Sequence, residues 1–264
     1  MRADRIIALA FLVPAALSTQ GAAGPEPIKD NSFLVEEAYN QEAGVVQHVG
    51  TFARPQGGDG WDLTVTQEWP LGGERDQLSF SIPLSHAEDV GTGVGDIALT
   101  YRRQVAGGEG SPFHAAPRLT VLVPSGSEED GRGRGSLGLQ AGLPLSYAVV
   151  PRLVTHWNVG STYGADGSTF DLALGASAVW LFRPSFNVLL EAIWLSEEVE
   201  AGGRSSRAES AFLNPGIRWA HDFASGLQIV PGVAYTVGIG PSAGDDGLFL
   251  YLSFEHPFRR LALR

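Results

Sequence analysis

Apolar and polar residues alternate along much of this chain. In the stretch 61–84, apolar residues take every second position near Trp61, Leu63 and Val65, and the alternation returns from Leu78 to Leu84. The stretches 136–145, 169–182 and 248–256 repeat the pattern. A period of two indicates β-strands that have one apolar and one polar face. The sequence therefore predicts an all-β fold.

Read with this period, the chain divides into about twelve strands, each close to the length that a tilted strand needs to cross a bilayer. We place them near 45–53, 61–70, 76–84, 95–105, 116–124, 136–145, 149–162, 169–182, 186–196, 209–221, 227–237 and 248–256. A single barrel accommodates a chain of 264 residues as one domain.

The composition of the polar face indicates which side of the barrel points inward. In a soluble barrel the apolar face forms the core, and the other face should carry abundant Lys, Glu and Thr. Here Lys29 is the only lysine, and the second face is rich in small residues such as Gly138, Gly142, Gly160 and Gly175. This pattern favours a membrane-spanning antiparallel up-and-down β-barrel with its apolar face toward lipid, over a soluble barrel.

The lengths of the predicted connections agree with this interpretation. If the first strand runs outward, the outer connections are longer and more acidic than the inner ones, with 106–115 as the exception. Outer-membrane barrels have an even strand number, short periplasmic turns and longer outer loops. Twelve strands also bring both ends of the barrel to the periplasmic side.

The N-terminal 44 residues differ from the rest. Arg2 and Arg5 precede the apolar run 6–17 and the small residues 21–24, which is the pattern of a cleaved signal peptide. We assign 1–23 to the signal peptide, 24–44 to a periplasmic segment that is a candidate plug, and 45–264 to the barrel. The protein is thereby expected in the outer membrane of a Gram-negative cell.

Composition excludes several classes of function. The chain has no cysteine, which excludes disulfides, thiolate metal sites and cysteine nucleophiles. Its net charge of -11 argues against binding to nucleic acid, because phosphate contacts need a basic surface. No metal or cofactor motif is present, so we expect no cofactor. The expected partners are outer-membrane lipid and lipopolysaccharide, the barrel assembly machinery and a small-molecule solute.

Several longer motifs carry a resemblance to a known family. They are NSFLVEEAYNQEAGVVQH (31–48), GTGVGDIALTYRRQ (91–104), APRLTVLVPSG (116–126) and LFLYLSFEHPF (248–258). With these motifs the chain resembles the outer-membrane, transporter-like family described as the MetA-pathway of phenol degradation. The resemblance implies an outer-membrane barrel with a transport role. Barrels of this kind commonly end on an aromatic residue, whereas here RRLALR (259–264) follows Phe258.

Alternation also assigns side chains to the lumen, where charges avoid the roughly 2–4 kcal/mol that an arginine costs on the lipid face. The inward set comprises Glu68, Arg102, Arg118, Arg152, His156, Asn158, Asp171, Glu191, Asn214, Arg218 and Glu255. Arg152, His156, Asp171 and Glu191 could form a ladder of opposite charges across three strands. These groups either select solutes by charge at a constriction or fill the barrel and fix its register.

The segment before the first strand lacks the alternation. Ser32 could cap a short helix from 33 to 41. In this hypothesis the segment folds into the periplasmic mouth, Phe33, Leu34 and Tyr39 pack against the wall, and Glu36 and Glu37 face the aqueous opening. The alternative is a leader without a plugging role.

The sequence thus predicts a channel that passes a small organic solute passively, with aromatic solutes included in that class. The first alternative is a non-conducting structural or surface-display barrel, and the second is an outer-membrane hydrolase. For a hydrolase, His156 would need a serine, and Ser136 and Ser177 are the nearest candidates. No serine is evident in matching alternation with His156, and no nucleophile-elbow motif is present, so we expect no enzyme.

Overall fold

Twelve long antiparallel strands form the protein in a computed structural model that describes residues 28, 30–108, 110–165, 167, 169–201 and 204–258. The predicted signal peptide 1–23 and the tail 259–264 lie outside the described residues. The strands are β1 (Val45–Pro55), β2 (Trp61–Pro70), β3 (Asp76–Ala87), β4 (Ile97–Arg103), β5 (Arg118–Val123), β6 (Gly138–Val150), β7 (Leu153–Gly164), β8 (Phe170–Arg183), β9 (Phe186–Ala201), β10 (Arg204–Trp219), β11 (Gln228–Gly238) and β12 (Gly247–Pro257).

The strands close into a barrel because each one pairs with its neighbours in sequence and β12 pairs with β1. Three short strands are attached to the ring: Gly91–Val94 pairs with β3, Phe113–Ala115 with β6 and His221–Asp222 with β11. Closure leaves no open sheet edge, as a strand in hydrocarbon requires. The predicted fold class and the twelve strands are confirmed.

The two faces of the wall have the predicted polarity. Large apolar side chains lie on the outside, where Leu119 is 65% exposed, whereas Arg218 inside is 1% exposed. Buried positions on the strands are mostly polar, among them Gln47, Gln77 and Asn187. Among the described residues, no helix is long and apolar enough to cross a membrane. An apolar exterior around a polar interior is the arrangement of a membrane barrel.

We expect an arginine on the lipid face to destabilise the barrel. Leu174 of β8 is 46% exposed and pairs with Val159 and Trp194, which lie well away from the strand ends. Leu174→Arg should lower the free energy of unfolding by about 2–4 kcal/mol in lipid vesicles, because the charge meets acyl chains. Denaturant titration measures this. The lumen-facing variant Thr51→Arg is the control, and equal losses in both variants would contradict the assignment of faces.

Some strand ends differ from the prediction. β9 and β10 continue as a hairpin to Ala201 and Arg204, so that most of the predicted loop 196–209 is strand. Its residues are polar on both faces, and alternation therefore could not reveal them. The turn between β6 and β7 consists of Pro151 and Arg152 only.

The barrel has a turn end and a loop end. The turn end carries the start of β1, the end of β12 and the connections 71–75, 104–117, 151–152, 184–185 and 220–227. The loop end carries the connections 56–60, 88–96, 124–137, 165–169 and 239–246. The residues 30–44, here called the inner segment, run into the lumen from the turn end.

The inner segment is not helical. It consists of bends and turns, so the predicted helix over 33–41 is wrong. The backbone amides of Glu36, Ala38 and Gln41 donate to side chains of the wall instead of to carbonyl groups four residues earlier. The barrel therefore satisfies the polar backbone groups that a helix would have satisfied internally.

Candidate functional site

The inner segment crosses the lumen and is fixed to opposite sides of the wall. Its wall partners belong to strands all around the barrel and include Gln77, Arg102, Ser146, Asn158, Glu191, Arg218 and Tyr251. Many of these wall side chains bind peptide groups of the segment. The segment consequently occupies the lumen at the turn end as a folded part of the molecule.

Glu191 of β9 holds residues 33–35 of the inner segment, here called the crest. Its Oε1 accepts three successive backbone N–H groups, from Phe33 at 2.9 Å, Leu34 at 3.1 Å and Val35 at 3.0 Å. Its Oε2 accepts from the side-chain amide of Asn214 at 2.8 Å. The carboxylate is completely buried. Bonds from several donors to one ionised acceptor are among the stronger hydrogen bonds in proteins.

Replacing Glu191 by glutamine should loosen the inner segment. The amide keeps one acceptor oxygen but loses the charge. We therefore expect the free energy of docking of the inner segment to weaken by about 1–2 kcal/mol. Hydrogen exchange of the amides of residues 33–35 measures this loss. Glu197→Gln, at an exposed position of the same strand, is the control. Unchanged protection in Glu191→Gln would show that the carboxylate does not hold the crest.

Phe33 anchors the crest in an apolar pocket of the wall. Its ring lies 5.7 Å from Phe249 and 5.6 Å from Tyr251, measured between centroids. Two glycines make room for the ring, since a Cβ at Gly216 or Gly232 would stand 2.5 or 2.4 Å from ring carbons. The pocket explains why the wall carries glycine at these two inward positions.

Arg218 of β10 binds the start of the inner segment. All five of its bonds are to buried or half-buried groups. They join Nε to Asn187 at 3.1 Å, Nη1 to the carbonyls of Asp30 at 3.0 Å and Asn31 at 2.6 Å, and Nη2 to the carbonyl of Ile28 at 3.2 Å and the carboxylate of Glu37 at 2.9 Å. Burial raises the pKa of the Glu37 carboxyl to about 7, although the Arg218 guanidinium acts to lower it.

Arg102 of β4 binds the returning half of the inner segment. It donates to Asn40 at 2.8 Å, to the carbonyl of Tyr39 and to Gln77 at 3.1 Å. Gln77 in turn accepts the amide of Gln41 at 2.8 Å. Tyr39 is half-buried, and its ring packs edge-on against His114 and His156. Arg102 is thus occupied mainly by the segment.

Arg118 of β5 has a different environment. Its Nε contacts Glu36 of the inner segment at 2.9 Å, and its Nη1 bonds Thr120 at 2.9 Å and lies 3.4 Å from Gln140. The Glu36 carboxylate also lies 3.9 Å from Arg102. Both side chains are partly exposed, Arg118 by 23% and Glu36 by 29%. This ion pair borders the open part of the lumen.

Ser146 and His156 form a pair that the sequence reading missed. They are directly opposed in the β6–β7 register, with Ser146 Oγ 2.8 Å from His156 Nδ1. His156 Nε2 lies 3.6 Å from Glu37. Ser146 is fully buried, and its Oγ also accepts the amide of Ala38 at 2.8 Å. A substrate carbonyl has no access to such a serine, and the group serves to hold the segment.

The structure corrects the predicted placements of Arg152, Leu34 and Glu37, and the predicted charge ladder. Arg152 is exposed in the β6–β7 turn, because β6 is longer than predicted. Asp171 lies inside the wall but near the loop end, where it bonds Arg134 and the amide of Glu198. The four-residue ladder therefore does not form. Leu34 faces the open lumen and is 45% exposed, and Glu37 is buried against Arg218 instead of facing an aqueous opening.

Arg102, Arg118, His156, Glu191 and Arg218 do line the interior, as alternation predicted. Alternation also places Gln47, Gln77 and Ser146 inward, although sequence reasoning gave them no role. Two signals in the sequence could have identified them: each is polar, and each lies on the inward side of its strand in the alternation.

Space remains in the lumen beside the inner segment. A cavity of about 310 Å³ lies on its loop-end side and is lined largely by hydroxyl, amide and charged groups of β1 to β6. A smaller cavity of about 40 Å³ lies toward the turn end. Asn31, Glu68 and Arg102 line both cavities.

Comparisons with known proteins agree with the geometry. A family model described as "Putative MetA-pathway of phenol degradation" matches residues 27–239. No curated protein sequence matches the chain. Among solved structures, the COG4313 outer membrane channel from Pseudomonas putida F1 is 12% identical, with a TM-score of 0.60 over 83% of this chain and 97% of that chain. The NanC porin is 7% identical, with a TM-score of 0.53 over 80% and 98% of the two chains. At these identities the likeness concerns the fold.

Proposed function

The chain belongs to the family described as the MetA-pathway of phenol degradation, and we propose that it is an outer-membrane channel through which a small organic solute passes passively. In this proposal the barrel spans the outer membrane with its turn end in the periplasm, reached through the cleaved signal peptide 1–23. Its partners are outer-membrane lipid and lipopolysaccharide, the barrel assembly machinery and the solute.

One observation carries the proposal: polar cavities lie on both sides of the inner segment and have lining residues in common. Asn31, Glu68 and Arg102 line both the 310 Å³ cavity and the 40 Å³ cavity. A barrel with a purely structural role would be more stable if larger side chains filled this side of the lumen, because close packing stabilises a protein interior. A passage between these two small cavities would be narrow, which suits a small solute. Solved structures with the same fold are named as an outer membrane channel and a porin.

Conductance in a planar lipid bilayer tests the proposal. The purified protein should give discrete openings of uniform size, with a small conductance because the inner segment fills the turn end. A second measurement is the swelling of liposomes in an iso-osmotic small organic solute. Absence of openings and of swelling at high protein dose would overturn the channel.

One observation favours the alternative function, a non-conducting barrel. The inner segment is fixed by buried bonds on opposite sides of the wall, to Glu191 of β9 and to Gln77 of β3, as a permanent filling would be. Absence of channel openings in the conductance experiment, from protein that is normally folded, would favour this structural role. A hydrolase has no comparable support, because Ser146 is inaccessible in the Ser146–His156 pair.

A further inference from the structure

We infer that Arg118 binds the carboxylate of a small organic anion, that the buried Arg102 beside it adds positive charge to the site, and that Glu36 occupies this site when no solute is bound. The inference rests on the proposed function, since it names the class of solute for the same lumen. Glu36 would then act as a built-in competitor that the solute displaces.

The two arginines require a shared anion. Arg102 and Arg118 are directly opposed in the β4–β5 register. Like charges in directly opposed positions of neighbouring strands destabilise a sheet. Glu36 offsets this repulsion from the inner segment, at 2.9 Å from Arg118 and 3.9 Å from Arg102. A carboxylate position between two cations is thus already built into the lumen.

The side chain of Glu36 can leave while the inner segment stays. The backbone of Glu36 is held independently by Asn158, which accepts from its amide at 2.7 Å and donates to its carbonyl at 2.8 Å. Its carboxylate contacts Arg118 closely and Arg102 only at 3.9 Å, is 29% exposed and borders the cavity. Arg218, by contrast, is enclosed by five bonds and is 1% exposed, so it cannot receive a solute.

The adjoining cavity fits an anion with an apolar group. Phe33, Leu34 and Val35 form an apolar floor, and Leu34 is 45% exposed toward the cavity. Thr100, Thr120 and Gln140 supply polar wall groups near Arg118. A volume of about 310 Å³ is at the small end of ligand pockets. An apolar surface next to a guanidinium suits a small aromatic or aliphatic carboxylate.

Equilibrium binding of benzoate in detergent tests the site independently of transport. Calorimetric titration should show that wild type binds benzoate more tightly than the neutral isostere benzamide. Glu36→Gln should tighten benzoate binding about tenfold, because the competing charge is removed, and Arg118→Gln should weaken it about tenfold or more. Arg118→Lys keeps the charge and should fall between wild type and Arg118→Gln. Glu197→Gln is the control acid and should bind like wild type.

The outcomes separate this inference from the channel itself. Equal affinity for benzoate and benzamide in folded wild type, or benzoate affinity unchanged in both Glu36→Gln and Arg118→Lys, would overturn the site even if the barrel conducts. Charge-dependent binding that follows Arg118 and Glu36 supports the site even if no openings are seen. Retained heat-modifiable gel mobility identifies the folded variants.

Discussion

Deletion of residues 31–42 should raise the single-channel conductance several-fold. The deleted residues fill the lumen at the turn end. The side chains of the wall alone cannot close the lumen of a twelve-stranded barrel, because a barrel of this size is too wide for them. The barrel should still form, because its closure depends on hydrogen bonds between strands and not on the inner segment. Water entering the widened lumen would solvate Arg218 and Glu191, so these charges would not stay buried without partners.

A cross-linked variant provides the control for this deletion. Val35 Cγ2 lies 3.1 Å from the position that a Cβ of Gly175 would take. Cysteines at these two positions can therefore be bridged, and the chain has no other cysteine. The oxidised Val35→Cys, Gly175→Cys protein should conduct like wild type, since the segment stays in place. If the deleted and the cross-linked proteins conduct alike, the inner segment does not limit the pore.

Replacing Arg218 by methionine should have the largest effect on how firmly the inner segment is held. The change removes three bonds to the inner segment, two to backbone carbonyls and one to Glu37, and a fourth to the carbonyl of Ile28 just before it. Breaking a buried ion pair from one side costs about 3–5 kcal/mol. Without the guanidinium, burial would raise the pKa of Glu37 further, so that the docked carboxyl would take up a proton at neutral pH.

The loss should appear in the segment before it appears in the barrel. Native-state hydrogen exchange should show protection of the amides of residues 30–44 reduced by a hundredfold or more, following from those 3–5 kcal/mol. Amides in the centre of the strands should keep their protection. The control is Arg54→Met, at a position where the side chain is 55% exposed. Equal protection of the segment in both variants would show that Arg218 is not its anchor.

The strands of the barrel wall could be predicted from the sequence because apolar–polar alternation is a local pattern. Alternation identified the strands and placed Arg102, Arg118, Glu191 and Arg218 inside, since a residue's parity fixes its face. Alternation cannot identify a strand whose two faces are both polar, as in the extension of β9 and β10 beyond residue 196. A strand end misjudged by a few residues was enough to misplace Arg152.

The inner segment could not be read in the same way. Its conformation is decided by distant partners, such as Glu191 for the amides of 33–35 and Ser146 for Ala38. Local propensity suggested a helix capped by Ser32, but the hydroxyl of Ser32 instead meets Ser177 and Glu37. Likewise, the pairing of Ser146 with His156 depends on the register of β6 and β7, which a single sequence does not specify.

The attachment of the inner segment through its peptide groups has an evolutionary consequence. Glu191, Asn158 and Ser146 recognise amides that every residue except proline possesses. In the proposed channel, substitutions at Leu34 and Glu36 would therefore change what a solute meets without detaching residues 33–35 from the wall. A lineage could change its solute preference by point mutations in a few codons, while the barrel itself stays the same.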